Sequence, residues 1–275
     1  MNVRVLVNGR PQAWIAHADR GFRYGDGLFE TVLLLSGTAP LWQRHMARLA
    51  LGCERLGIAT PDVTELQRQA SQVAADLPRA AVRITVSRGQ GTRGYAPQDA
   101  VQVTCVVEAA PAPTGRAEDY RDGVRLHGCE IRLASQPRLA GLKHANRLEQ
   151  VLARSEWSDP EVFEGLMCDA DDHAISATAA NLFAVLDGVL VTPALDRAGV
   201  AGVTRAEVLA RRPRAIVREL PRAELLRAKE VFLTSSLRGI LPVRAIDTAT
   251  FAVGPVTREL QSAWSERQWQ PEMAP

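Results

Sequence analysis

Lysine is almost missing from this chain. Of its 33 lysines and arginines, only Lys143 and Lys229 are lysine; the other 31 are arginine. Arginine stays protonated and forms no imine, so any chemistry that needs an amine nucleophile has two side-chain candidates. Cysteine is scarce too. Cys53, Cys105, Cys129 and Cys168 are scattered, with no Cys-x-x-Cys pair. That excludes a disulfide framework and points to free thiols in a reducing cytoplasm. No run of 18 apolar residues exists, and the opening MNVRVLVNGR lacks the apolar stretch and cleavage site of a signal peptide, so neither a membrane span nor export is expected. A net charge of +2 over 275 residues gives no electrostatic case for nucleic acid or a membrane surface. Walker A, serine-elbow and HExxH motifs are absent. His127-x-Cys129 offers two ligands where a metal site needs more, so no metal is expected.

What is present is ordinary globular composition, 46% hydrophobic and 23% charged, in a chain long enough for one large domain or two smaller ones. Val3–Val7 is a β-rich run that ends at the turn pair Asn8-Gly9, and Phe29–Leu35 reads as a second strand. From Arg44 to Leu56, Met46, Leu49, Cys53 and Leu56 recur at helical spacing, and Asp62–Leu77 reads as another helix. Ala81–Ser87 and Val101–Val107 read as strands around a glycine-rich loop. The Pro/Ala segment Ala109–Gly115 is the expected linker, separating an α/β domain (1–108) from a second domain (116–275). In the second half, Gly123–His127 looks extended and Leu142–Trp157 reads as a helix with Leu148, Val151 and Leu152 on one face. Val162–Cys168, Leu182–Leu186, Val189–Val191 and Val231–Leu233 read as strands, and Thr204–Arg211 as a helix. The fold class is α/β (α+β) in two domains, with the cleft between them as the expected ligand site.

Four motifs carry chemistry. Gly89-Gln-Gly91-Thr-Arg-Gly94 satisfies G-x-G-x-x-G, but Tyr95-Ala96-Pro97 and a strand follow where a dinucleotide site needs a helix. Arg88, Arg93 and Tyr95 on this loop are instead placed to grip an anion. Gly199–Glu207 reads as glycines ahead of a helix, with Thr204-x-x-Glu207 as a capping box; its first N–H groups make a phosphate cradle without a Walker lysine. His45 and Arg48, at i and i+3, read by themselves as a solvated helix face. Lys143 has small or apolar neighbours with His144 and Arg147 close by, a setting that lowers an amine pKa; Lys229 adjoins Glu230 and looks solvated.

Together, Asp19–Glu30, His45–Leu49, Ser87–Tyr95, Leu139–Leu152, Ala179–Phe183 and Gly199–Arg205 resemble the 4-amino-4-deoxychorismate lyases, within the fold-type-IV pyridoxal-phosphate (PLP) enzymes. The likeness spans about residues 2 to 245, and SRGxGxRGY with KHxNRLEQ marks the lyase branch. The resemblance implies that Lys143 carries PLP covalently. It implies that Arg48 binds the cofactor phosphate with the N–H groups of Val203 and Thr204 and with Ser236. Phe29 would line the pocket, Asn146 and Arg147 would orient cofactor or substrate, and Thr31 or Lys143 would supply a proton. Arg93 and Tyr95 would lie on a loop that reaches the neighbouring subunit's site in a homodimer. The implied activity is conversion of aminodeoxychorismate to 4-aminobenzoate and pyruvate in folate synthesis. The alternatives are a D- or branched-chain amino-acid aminotransferase, or a weakly active PLP-binding protein. One departure stands out: the family's pyridine-nitrogen glutamate, five residues before Asn181, is Ser176 here, with Asp171 and Asp172 as nearby carboxylates.

Overall fold

The computed structural model describes residues 4–97, 102–271 and 273. Val3 and Val101, which begin two of the expected strands, lie outside the described residues. The chain divides into two units, Met1–Ala112 with Leu142–Asn146, and Pro113–Gly141 with Arg147–Pro275.

The first unit is an antiparallel sheet of β1 (Val5–Val7), β2 (Arg10–Pro11), β3 (Gly27–Leu35), β4 (Arg79–Ser87) and β5 (Thr104–Pro111), in the order β2-β1-β5-β4-β3. Asn8 and Gly9 both take positive φ, as the tight hairpin between β1 and β2 requires. A short helix, α1 (Arg20–Tyr24), precedes β3 and is capped by the Asp19 carboxylate. Two longer helices, α2 (Trp42–Leu56) and α3 (Val63–Val73), follow β3 and pack on one face of the sheet. Met46, Leu49 and Cys53 of α2 meet Leu28, Val32 and Leu34 of β3 there, as the helical spacing predicts. Asp62 caps α3 by accepting from Thr64 N and Glu65 N.

The second unit begins with α4 (Ala117–Asp122), β6 (Val124–Leu133), α5 (Leu148–Arg154), β7 (Val162–Asp169), β8 (Ala174–Ala177), β9 (Asn181–Leu186) and β10 (Val189–Pro193). It continues with α6 (Val203–Arg211), β11 (Ile216–Arg218), α7 (Arg222–Leu225), β12 (Glu230–Ser235), β13 (Gly239–Ile246), β14 (Ala249–Thr250) and α8 (Pro255–Ser265). Its nine-stranded sheet runs β11-β10-β9-β12-β13-β6-β7-β8, with β14 on β13. β6 pairs in parallel with both β13 and β7.

Two expectations need correction. Ala109–Pro111 are not linker: they extend β5 and pair with Ala80–Val82. The helix expected over Leu142–Trp157 forms only at Leu148–Arg154. Residues 142–146 run extended along the free edge of β3, where Phe29 N donates to Lys143 O and Ala145 N to Gly27 O. An edge strand offers unpaired backbone groups, and those bonds outweigh local helix propensity. Leu148, Val151 and Leu152, which share one face of α5, are 75%, 60% and 56% exposed.

Candidate functional site

Register decides what Lys143 faces. The segment from Lys143 to Ala145 is antiparallel to β3, with His144 opposite Leu28, so Lys143 stands opposite Phe29 and on the same side of the sheet. That side is opposite the helices. The Lys143 Nζ lies 4.3 Å from the centre of the Phe29 ring. Thr31 follows two residues along the same face, directly across from Arg83 on β4. The Arg83 guanidinium stacks on the same phenyl ring at 3.9 Å. Burial lowers the Arg83 pKa against the pull of Glu108. The structure therefore sets an amine and a guanidinium against one aromatic ring, with Thr31 two residues along the same face; of these the sequence reading had Lys143, Thr31 and Phe29. Arg83 was missed; its signal is an arginine in the alternating run RITV, on the face that carries no core residues. Lys229 is exposed, as expected.

On the opposite face of β3, the sequence reading of His45 and Arg48 as a solvated pair fails. Both point inward to Glu30, which is 1% exposed in the middle of β3. His45 Nδ1 donates to Glu30 Oε2 at 2.7 Å, and Arg48 spans both oxygens through Nε and Nη2. Burial drives the Glu30 pKa up, but the bonds and charges of His45 and Arg48 overcome it and leave the carboxyl below its ordinary value. Burial lowers the His45 pKa, with Glu30 opposing and the Arg48 and Lys143 charges assisting. The group is thus a carboxylate, a guanidinium and a neutral imidazole. An acid on the core face of a strand was the signal, since a buried carboxylate requires partners.

Asn146 is committed to the backbone: its Nδ2 donates to Gly25 O at 3.0 Å, tying the lysine segment to the end of α1. Arg93 and Tyr95 are exposed on the loop after β4.

In the second unit, the glycine-led helix start is built differently from the capping box expected. Gly202 is the N-cap of α6, no side chain caps the helix, and Glu207 pairs with Arg211 instead. Asn181, on β9, accepts from Gly202 N and donates to Val200 O, fixing the turn. Thr204 Oγ1 is buried with no hydrogen-bond partner. A Cβ on Gly202 would stand 2.0 Å from Asn181 Oδ1. An uncapped helix N-terminus beside an orphaned buried hydroxyl suits a bound phosphate, so these residues fit the phosphate end of PLP. Arg205 anchors this turn through Thr192 Oγ1 and Pro193 O, and burial lowers its pKa to about 10. Ser236 is half-buried in the turn after β12, and burial brings the half-buried Arg147, at the start of α5, to about 10.

Ser176 is buried on β8, across from Met167. Asp171 and Asp172 are exposed in the turn between β7 and β8, and Asp172 pairs with Arg132 at 3.1 Å. Glu164 of β7 is buried, and burial raises its pKa despite the Thr178 hydroxyl bond; strand alternation puts it on the face opposite Met167 and Ser176. Among the described residues, Asp169, Asp171 and His173 are the one set of possible metal ligands within 4.8 Å of each other. Asp169 already accepts there from the N–H groups of Asp171 and His173.

Residues 27–246 match the amino-transferase class IV family. The chain is 36% identical to an aminodeoxychorismate lyase of Vibrio harveyi, over 93% of this chain and 97% of that protein. It superposes on the crystal structure of a 4-amino-4-deoxychorismate lyase from Pseudomonas aeruginosa with a TM-score of 0.90 and 46% identity, covering 95% and 98% of the two chains. The branched-chain amino acid aminotransferase of Escherichia coli shares the fold, with a TM-score of 0.83 at 23% identity and coverage of 100% and 96%.

Proposed function

Because the chain belongs to the class IV aminotransferase family of PLP-dependent enzymes, we propose that it is an aminodeoxychorismate lyase, releasing 4-aminobenzoate and pyruvate. The observation that carries this reading is the Lys143 amine, in a chain with two lysines, held against Phe29 on the edge of the first sheet. The similarity to lyases at 36% and 46% identity supports the choice of substrate. Bound to Lys143, PLP supplies an electron sink for the carbon that bears the substrate amine.

The residues have the following proposed roles. Lys143 Nζ would take the substrate's C4 proton as general base. The leaving enolpyruvate oxygen receives its proton from Lys143 or from the Thr31 hydroxyl, two residues from Phe29 on one face. The Val203 and Thr204 N–H groups and Ser236 would bind the phosphate, and the Ser176 hydroxyl would meet the pyridine nitrogen; Arg48, which the resemblance also puts at the phosphate, is engaged with Glu30 on the helix side of β3. Phe29 forms a pocket wall. Arg93, Tyr95 and Arg147 bind the two substrate carboxylates, joined by Arg83, which is stacked on the Phe29 ring beside Lys143. Asn146 holds the lysine segment in register. The working form is a homodimer, supported by the exposed Leu148, Val151 and Leu152 of α5. We place it in the cytoplasm, where a reducing environment keeps its four free cysteines as thiols.

Incubation of PLP-loaded protein with aminodeoxychorismate is expected to release 4-aminobenzoate and pyruvate in equal amounts, with no oxo-acid added. Turnover that requires an oxo-acid acceptor would identify an aminotransferase. Bound PLP with neither activity would mark a binding protein.

A further inference from the structure

The loop from Arg88 to Tyr95 carries Arg93 and Tyr95 outward, and exposed glycine-rich loops are ordinarily mobile. This one is fastened along its length. Arg20 N donates to Gly89 O at 2.8 Å, Gly91 N to Ala18 O at 3.1 Å, and Asp19 bridges to Gln90. Ser87 Oγ donates to the Asp19 carboxylate and accepts from Gly89 N. Past Gly91 the Arg20 side chain takes over the backbone carbonyls. The Arg20 guanidinium, 4% exposed, donates through Nη1 to Gly94 O at 3.0 Å and through Nη2 to Tyr95 O at 2.9 Å. Its Nε is held by Asp26, which also accepts from Arg88. Those two guanidiniums keep the Asp26 carboxyl below its ordinary pKa although burial opposes them.

The neighbours reinforce the arrangement. Tyr24 lies beneath the Arg20 guanidinium, meets the Tyr95 ring at 5.5 Å, and accepts from Gly94 N through its hydroxyl. Gly91 is open enough for Arg20 to pass: a Cβ there would stand 3.0 Å from Arg20 Cδ. A buried arginine that donates to two successive carbonyls fixes the orientation of the peptides next to Arg93. A lysine has no planar fork with which to do so.

We infer that Arg20 is a positioning residue for substrate recognition: it holds the Gly94–Tyr95 backbone so that Arg93 is presented in one orientation to a carboxylate of the substrate. The inference rests on the lyase reading for the identity of that substrate, but the latch does not depend on it. Arg20 itself need not touch substrate.

The test compares full-length, PLP-loaded wild type with Arg20→Ala, Arg20→Lys, Arg93→Ala and the double variant Arg20→Ala/Arg93→Ala. Hydrogen exchange of peptides covering residues 88–95 reads the latch without substrate; exchange is expected to be faster in both Arg20 variants. With aminodeoxychorismate, Arg20→Ala is expected to raise KM about 10- to 100-fold, the worth of lost charge-assisted hydrogen bonds, with kcat changed far less. Millimolar guanidinium should recover part of that loss. The double variant should be no worse than Arg93→Ala alone, because Arg20 acts through Arg93. Arg20→Lys retains the Asp26 pair and decides the matter if the alanine variant does not fold. Unchanged exchange in residues 88–95 overturns the latch. Independent, multiplying effects of the two substitutions on KM overturn the route through Arg93. A wild type without lyase turnover refutes the proposed function instead, and the exchange experiment still decides the latch.

Discussion

Glu30→Gln isolates the charge of the buried Glu30–His45–Arg48 group while keeping its shape. Three donors converge on the two carboxylate oxygens: Arg48 Nε on Oε1, and His45 Nδ1 with Arg48 Nη2 on Oε2. A glutamine has one acceptor oxygen and a donating NH2, so in either amide orientation a donor faces an arginine N–H. If the oxygen stays toward Nε, the NH2 meets His45 and Nη2; flipped, it meets Nε. Removing one partner of a buried ion pair costs about 3–5 kcal/mol, and the surviving hydrogen bonds put this case near the lower end, about 3 kcal/mol. In a chain of this size that is a drop of about 6–12 °C in Tm. Urea and thermal unfolding followed by circular dichroism measure it. A loss under about 1 kcal/mol, the range of a surface pair, would refute the claim that the charge is desolvated and committed.

The pH dependence checks the same assignment. The folded pKa of His45 lies below 6.5, so the unfolded chain binds the proton first, and stability present above pH 6.5 is lost as pH falls through the folded value. The folded pKa of Glu30 lies below 4.5, so its contribution is present above pH 4.5 and is lost on further acidification. In Glu30→Gln the second contribution vanishes. His45 also loses the bond and charge that raise its pKa, and its acid sensitivity extends to lower pH. The stability gap between wild type and variant should therefore widen as the pH falls below 6.5, where the variant's His45 loses more, and narrow below pH 4.5 as Glu30 is protonated in wild type. A gap that stays constant as the pH falls would show that Glu30 is not an ionised partner.

Other outcomes follow from the same geometry. Gly202→Ala has an acceptable backbone (φ −68°, ψ 142°) but puts a Cβ against Asn181 Oδ1; it should weaken PLP retention about 10-fold, the worth of a displaced charge-assisted bond, in a fluorescence titration. Thr204→Val should lower PLP affinity while leaving the apoprotein at least as stable, since the hydroxyl is buried without a partner. Lys143→Ala should abolish the absorption band of lysine-bound PLP and cut turnover by at least about 10²-fold, the share of a positioned general base, whereas Lys229→Ala should leave both unchanged. Val151→Asp with Leu152→Asp should shift the light-scattering mass from twice the chain mass to 29.9 kDa.

Local chemistry made part of this molecule readable in advance. Asn8-Gly9 and Asp187-Gly188 are turns because both residues of each pair accept positive φ, and α2 shows its buried stripe in the sequence. Where the reading failed, a distant segment supplied what the local one lacked. Leu142–Asn146 has residues that suit a helix, yet the open edge of β3 takes it as a strand. Thr204 and Glu207 have capping-box spacing, yet Asn181, more than 20 residues earlier, organises the turn and moves the cap to Gly202. At the site, Lys143 and Phe29 could be named from motifs, but only the register across the edge of β3 puts them on one face. Glu30 escaped notice because FETVLLL reads as a strand whichever residue faces the core. Its partners His45 and Arg48 lie a loop and a helix turn away.

The two cation types of this chain divide along the chemistry each can do. Arginines serve where a charge must be held in place: Arg48 on Glu30, Arg20 on two carbonyls, Arg205 on Thr192 and Pro193. Each uses the fixed fork of the guanidinium, and the general replacement of lysine by arginine costs these positions nothing. Lys143 is the exception because an amine can form an imine and a guanidinium cannot. Ser176 fits the same logic from the other end. With Ser176 as the proposed partner of the pyridine nitrogen, a hydroxyl would hold a proton there less well than a carboxylate does, and the cofactor would be a weaker electron sink. Transamination, which must stabilise carbanionic charge through two proton transfers, suffers most from that. An elimination that expels enolpyruvate and ends in an aromatic ring draws its driving force from the product. A serine on β8 is therefore compatible with the lyase reaction and unfavourable to the transaminase one.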